Sequence, residues 1–290
     1  MQQPLSSKSN QREFAFDDRD FKRVQDLIYL QAGIALTHAK RDMVYGRLSR
    51  RLRALNLSTF KSYLDQLEAM DESAAEWQAF INALTTNLTS FFRESHHFQV
   101  LRDDLLRRKK HETINIWSCA ASTGEEPYSI AMTACEAFKT LTPPVRILAT
   151  DIDTNVLETA VNGIYNVERI NDLDPSYKRK YFQRGSGSHE GKCRVVPALQ
   201  QLIEFRPLNL LSPHYNIEMN FSAIFCRNVM IYFDKPTQHS ILSRIVPHLE
   251  NDGFLYTGHS ENYIHASDLI ESSGRTLYRR ATKGAKGNVR

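Results

Sequence analysis

Residues 114–130 read INIWSCAASTGEEPYSI, and the fold of the chain turns on how this stretch is parsed. The apolar run that ends in Ile116-Trp117 has the length and composition of a buried strand. It stops at five small residues, 118–122, which let another group approach the backbone closely, and one glycine follows at Gly124. Pro127, directly before Tyr128-Ser129-Ile130, suits the first turn of a helix, where its missing N–H is not needed. The stretch therefore reads as a strand, a cradle and a helix start. Without a ligand it would be an ordinary tight βα connection.

On the carboxyl-terminal side, further apolar runs at 146–153, 202–211, 222–229 and 253–260 alternate with helical segments. Strands interleaved with helices imply a mostly parallel sheet with right-handed crossovers, covered on both faces. The expectation is a doubly wound, Rossmann-like α/β domain over 112–282. The connection 162–201 is too long for a plain crossover. Its glycines Gly185, Gly187 and Gly191, followed by the alternating Cys193-Arg194-Val195-Val196, suggest a hairpin insertion. The polar tail 283–290 should fray.

On the amino-terminal side, apolar residues recur at helical spacing: Phe21, Val24, Ile28; Val44, Leu48, Leu52, Leu55; Phe60, Tyr63, Leu64, Leu67; Trp77, Phe80, Ile81, Leu84. These predict a small all-α domain of about four helices over 14–88, with Thr37 and Ser58 as candidate caps for the second and third. A linker and connecting helix, 89–111, lead into the sheet.

With 41% hydrophobic and 24% charged residues in 290, the composition is that of a soluble globular protein. No apolar run approaches the roughly 20 residues of a membrane span, and the first residues lack a signal-peptide core, so a cytoplasmic protein is expected. The four cysteines form no CxxC pair and are expected to be core thiols. Adjacent His96 and His97, about 100° apart on a helix, should not share an ion, so no metal is expected. A net charge of +4 is modest, and its location matters more than its total.

Ligands of open α/β sheets lie beyond the carboxyl ends of the strands. The acid Asp151 ends the second run, where a carboxylate accepts from ribose hydroxyls, so a nucleoside ligand is favoured. A dinucleotide needs a glycine-rich turn facing its pyrophosphate, and the acids of ASTGEEP would repel it. S-adenosylmethionine, with a sulfonium and an ammonium group, suits those acids. Either Glu125 or Glu126 could face it, or simply complement the helix dipole.

With these residues in view, the sequence resembles the CheR chemoreceptor glutamate methyltransferases of bacterial chemotaxis. The segments that carry the likeness are KRDMVYGRLSRRLRAL (40–55), NALTTNLTSFFRE (82–94), ASTGEEPYSIA (121–131), TDIDTNVL (150–157) and FCRNVMIYF (225–233). The likeness runs from the first helices to GHSEN (258–262). It implies methyl transfer from S-adenosylmethionine to receptor glutamates, giving methyl esters and S-adenosylhomocysteine. It also implies cofactor contacts from Asn87, Thr89, Arg93, Glu126, Asp151, Asn209, Leu210, Arg227 and Asn228, with Arg93 and Tyr232 at the reaction centre. It points to Glu126 rather than Glu125.

A carboxylate acceptor is already charged at neutral pH, so no general base is required and the task is positioning. Arg47, Arg50, Arg51 and Arg53 project mostly away from the apolar stripe of their helix as a basic face. By resemblance, that face would attract the acidic cytoplasmic helices of receptors, and the insertion is a small β-subdomain at about 180–198 that in some members captures a receptor carboxyl-terminal peptide, with Arg184, Gly185, Gly187, Gly191 and Arg194 as candidates. A monomer recruited to receptor arrays is expected, with no nucleic acid and no membrane insertion. The rivals are a nucleic-acid methyltransferase, which lacks its Asn/Asp-Pro-Pro-Tyr/Phe motif here, a Rossmann oxidoreductase, and a non-catalytic receptor-binding module.

Overall fold

The computed structural model describes residues 12–108 and 113–281, so the tail expected over 283–290 and the boundaries expected at 111, 112 and 282 lie outside the described residues. The chain divides into two compact units between Leu84 and Thr85.

The first unit holds α1 (Asp18–Ala32), α2 (Arg41–Ala54), α3 (Phe60–Ala69) and α4 (Ala75–Leu84). Asp17 and Asp20 cap the start of α1 reciprocally, and Gly33 ends it at φ 69°, a left-handed conformation glycine adopts without strain. The apolar stripes of all four helices are buried, except that Leu55, expected in the α2 stripe, is exposed just past the end of that helix. The caps differ from expectation. Thr59, not Ser58, accepts the Ser62 N–H at the start of α3. Thr37 precedes a short 3₁₀ turn and makes no side-chain cap.

The second unit opens with α5 (His96–Arg107), β1 (Ile114–Ser118), α6 (Glu125–Phe138), β2 (Val145–Asp151) and α7 (Thr154–Asn162). There follow β3 (Ile164–Asn166), α8 (Pro175–Tyr181), β4 (Phe182–Arg184), β5 (Lys192–Val195) and α9 (Pro197–Gln200). The unit ends with β6 (Ile203–Pro207), β7 (Phe221–Cys226), α10 (Lys235–Ile245), β8 (Leu249–Thr257), β9 (Ile270–Gly274) and β10 (Leu277–Arg280). Seven strands form one sheet in the order β6-β2-β1-β7-β8-β10-β9. The first five are parallel and β10 runs antiparallel to β8 and β9, which makes a doubly wound, Rossmann-like sheet with an antiparallel edge.

Trp117, fully buried on β1, donates its indole N–H to Thr150 Oγ1 of β2 at 3.0 Å, so the largest core side chain also has its polar atom satisfied. All four cysteines are buried free thiols. The insertion is larger than the expected hairpin: β3 joins β5 and β4 in a three-stranded antiparallel sheet, order β3-β5-β4, that begins at Ile164. Among the described residues no helix is long and apolar enough to cross a membrane.

Candidate functional site at the carboxyl edge of the sheet

From β1 the chain winds first toward β2 and later to β7 on the other side, so the carboxyl edge of β1 is the point where the winding reverses. The cradle after β1 is held in an unusual backbone shape. Ser122 has φ 49° and Gly124 φ 97°, and a Cβ on Gly124 would stand 2.9 Å from both Ala160 Cβ and Tyr165 Oη. Only glycine fits there without displacing α7.

The two cradle acids face different ways. Glu125 is fully buried, paired with Arg169 and accepting from Thr123 Oγ1 at 2.6 Å, so its charge is spent on the insertion. Arg169 also donates to the Thr89 carbonyl at 3.1 Å. Glu126 accepts from Ser118 Oγ and from Arg227 Nη1, both at 2.8 Å. Burial raises its carboxyl above the usual range against the pull of Arg227 and Ser118.

Asp151 ends β2. One carboxylate oxygen accepts the Ser122 N–H at 2.8 Å and the other the Asp153 N–H at 2.9 Å, while burial pushes its pKa up to about 6. The Ile152 N–H also favours the charged carboxylate, which with about four lone-pair sites keeps room for a further donor. The 85–93 segment is tied down beside it: Thr85 Oγ1 and Asn87 Nδ2 donate to Asp153 Oδ2 at 2.6 and 2.7 Å, and the Asn87 carbonyl accepts from Ser122 Oγ at 3.0 Å. The side chain of Asn87 thus holds Asp153. Phe91 packs edge-on against Tyr165 and Phe182, and Phe92 against Phe98 and Tyr177, so the paired phenylalanines anchor this segment to the α/β unit and its insertion.

Arg227, just past β7, is 1% exposed and forks between Glu126 and the Arg93 carbonyl, the latter at 2.5 Å, with Glu94 at 3.4 Å. Arg93 itself is half-buried and donates to the Leu88 carbonyl at 2.8 Å. Asn228, at φ 56°, donates Nδ2 to Glu94 at 3.2 Å. Tyr232 lies half-buried in the 3₁₀ turn that follows. After β6, Asn209 Oδ1 accepts the Leu211 N–H, and Leu210 packs in the core with its carbonyl taken by Tyr215 and Arg244. The fold thus gathers Glu126, Arg227, Asn228 and the Arg93 backbone into one bonded cluster, while Asp151 is tied to the Ser122 cradle.

Sequence patterns did not reveal Glu94, Glu261 or His259. Glu261 is a buried carboxylate that accepts the Met230 N–H at 3.0 Å and the Gly258 N–H at 2.5 Å, pinning the loop that carries Asn228 and Tyr232. Of eight described non-glycine residues with positive φ, Phe92, Glu94, Ser122 and Asn228 all sit here. Such conformations cost about 1–3 kcal/mol each and persist where surrounding contacts over-determine them. No residue-type signal announces them.

His96 and His97 converge rather than diverge. Their ring centroids lie 4.1 Å apart, and both place Nε2 near Thr276 Oγ1, at 3.3 and 2.6 Å. Their ligand atoms lie with those of Glu94 within 4.8 Å of one another, but the Arg227 guanidinium already stands against that carboxylate and opposes a metal dication.

The basic face of α2 is smaller than expected. Arg51 turns inward to Glu76, donating at 3.1 and 2.5 Å, because Tyr63 and α4 place that carboxylate beside it. Arg47 is half-buried and donates to the Ala83 carbonyl at 3.3 Å. Arg53 is exposed but paired with Glu13, which leaves Arg50 as the fully presented cation. In the insertion, Arg184 ends the edge strand β4 and Arg194 points outward from β5. Gly187 and Gly191 take positive φ, and a Cβ on Gly185 would meet the His189 carbonyl oxygen at 2.1 Å.

The family model described as the CheR methyltransferase all-alpha domain matches residues 19–85, and that of the CheR methyltransferase SAM binding domain matches 87–278. The chain is 51% identical over 269 residues to chemotaxis protein methyltransferase 2 of Pseudomonas aeruginosa, covering 92% of this chain and 95% of that one. It is 52% identical over 267 residues to the chemotaxis protein methyltransferase of Salmonella typhimurium, covering 92% of each.

Proposed function

The chain belongs to the CheR methyltransferase family, and from that premise we propose how its own residues carry methyl transfer from S-adenosylmethionine to the glutamates of chemoreceptors. S-adenosylmethionine supplies, when bound, a methyl group made electrophilic by its sulfonium. The observation that carries the reading is the pairing of Asp151 with a strained small-residue cradle, next to a Glu126–Arg227 pair and without a glycine-rich pyrophosphate turn. Asp151 would accept from the ribose hydroxyls, and Asn209 and Leu210, after β6, would line the cofactor from that side. Glu126 faces the cationic end, with Arg227 and Asn228 fixing the edge. Asn87 and Thr89 hold the segment that closes over the site.

Arg93 and Tyr232 orient the acceptor carboxylate. No base is needed, because a glutamate is ionised at neutral pH. Arg50, with Arg53, draws an acidic receptor helix, and the exposed edge of β4, with Arg184, Gly185, Gly187, Gly191 and Arg194, takes a receptor carboxyl-terminal peptide as an added strand.

The test is incubation with methyl-labelled S-adenosylmethionine and a receptor cytoplasmic fragment. Label released as methanol by mild alkali is expected, because glutamyl esters are alkali-labile. Alkali-stable label would point instead to N- or C-methylation.

A further inference from the structure

We propose that Glu94 is a positioning residue for methyl transfer, setting the side chain of Asn228 and serving as the standing counter-charge of Arg227. The inference rests on the functional reading above. Glu94 Oε1 accepts from Asn228 Nδ2 at 3.2 Å and lies 3.0 Å from His259 Nδ1. Its other oxygen lies 3.4 Å from Arg227 Nη2 and 3.8 Å from His97 Nδ1. The carboxylate thus links the 85–93 segment, the residues after β7 and the loop after β8.

Two observations argue that this hub serves the site and not packing alone. Glu94 holds φ 55° and Phe92 φ 53°, conformations that neither residue type favours, so the contacts at the side chains must fix them. The charge balance also requires it. Arg227 is almost fully buried between two carboxylates, Glu94 and Glu126, and in the functional reading above Glu126 is the one that faces the ligand's cationic end. When Glu126 turns to that cation, Arg227 still needs an anion, or its buried charge is left uncompensated. Burial works against ionisation of Glu94, but His259, Arg227 and Asn228 outweigh it and hold its carboxyl down at about 2, so it stays charged. Arg227 in turn clamps the Arg93 carbonyl. A displaced Glu94 would therefore shift Asn228 and the Arg93 backbone together.

The experiment compares wild type, Glu94→Gln, Asn228→Ala and the double variant, reading receptor methylation, S-adenosylhomocysteine affinity and thermal midpoint for each. Glu94→Gln should lower kcat by about tenfold to a hundredfold, the effect of a sub-ångström to ångström misplacement, with affinity for S-adenosylhomocysteine within about threefold. The double variant should lose clearly less than the product of the two single losses, since Glu94 acts in part through Asn228. Unchanged kcat, fully additive losses, or kcat, affinity and midpoint falling in parallel would overturn the proposal. Should Glu94→Gln fail to fold, His259→Ala removes an exposed partner of the same carboxylate. A fall in kcat at retained affinity then supports the role and an unchanged kcat overturns it. Alkali-labile methylation by the wild type checks the functional reading separately, so failure of one is distinguishable from failure of the other.

Discussion

Asp151 shows how one carboxylate serves two opposed demands. Burial raises it to about 6 in the folded chain, above its ordinary value of 3.8, so the ionised form is held at a disadvantage. For the ligand-free protein the sign follows: the stability contribution of this group is complete below 3.8 and is lost as pH rises through about 6. In its proposed role at the ribose, its effect on ligand affinity should run the other way, because ribose hydroxyls need an ionised acceptor. Affinity for S-adenosylhomocysteine should weaken as pH falls through about 6, measured by calorimetry between pH 5 and 7.5. Asp151→Asn should bind at least about tenfold more weakly at pH 7, the worth of a hydrogen bond to a charged group, and lose that pH dependence. Wild-type affinity in Asp151→Asn would remove it from the site. Its position was legible because an acid closing an apolar run is visible in TDID. The raised pKa was not, since it depends on what packs around the carboxylate.

At the scale of the element, α2 shows where helical projection succeeds and where it stops. The period placed Val44, Leu48 and Leu52 inward and set the arginines apart, but it could not know that Glu76 of α4 and Tyr63 of α3 would draw Arg51 inward. The two neighbours should therefore respond differently to charge reversal. Arg51→Glu should destabilise the protein by about 2 kcal/mol, read by chemical denaturation, because it leaves Glu76 facing a like charge. Arg50→Glu should leave stability unchanged and slow receptor methylation several-fold at low salt, with the deficit shrinking as salt screens it. Equal methylation rates would take the basic face out of receptor recognition. The strands β9 and β10 escaped notice for a related reason: 270–280, IESSGRTLYRR, is a half-exposed edge with weak alternation and a glycine within it.

For the whole molecule, the insertion is expected to act on encounter with the receptor and not on chemistry, because tethering raises the local concentration of substrate helices without touching the reacting groups. Gly185→Val tests this, since its Cβ would drive into the His189 carbonyl and open the β4–β5 turn. The variant should methylate a receptor bearing its carboxyl-terminal peptide more slowly, by about tenfold or more, yet match wild type on a fragment lacking that peptide. Equal losses on both substrates would sink the tethering role. By itself the sequence determined the helical and α/β halves, the strand–cradle–helix parse, and an acid at the end of β2, because periodicity, turn chemistry and charge are local properties of the chain. The tertiary structure alone decided that Glu125 is spent on Arg169 while Glu126 faces Arg227, and that β3 joins the insertion. It alone brought Asn228, His259 and Arg227 onto the one carboxylate of Glu94. These are contacts between residues up to 165 positions apart, fixed by packing and by backbone conformations that no residue type announces.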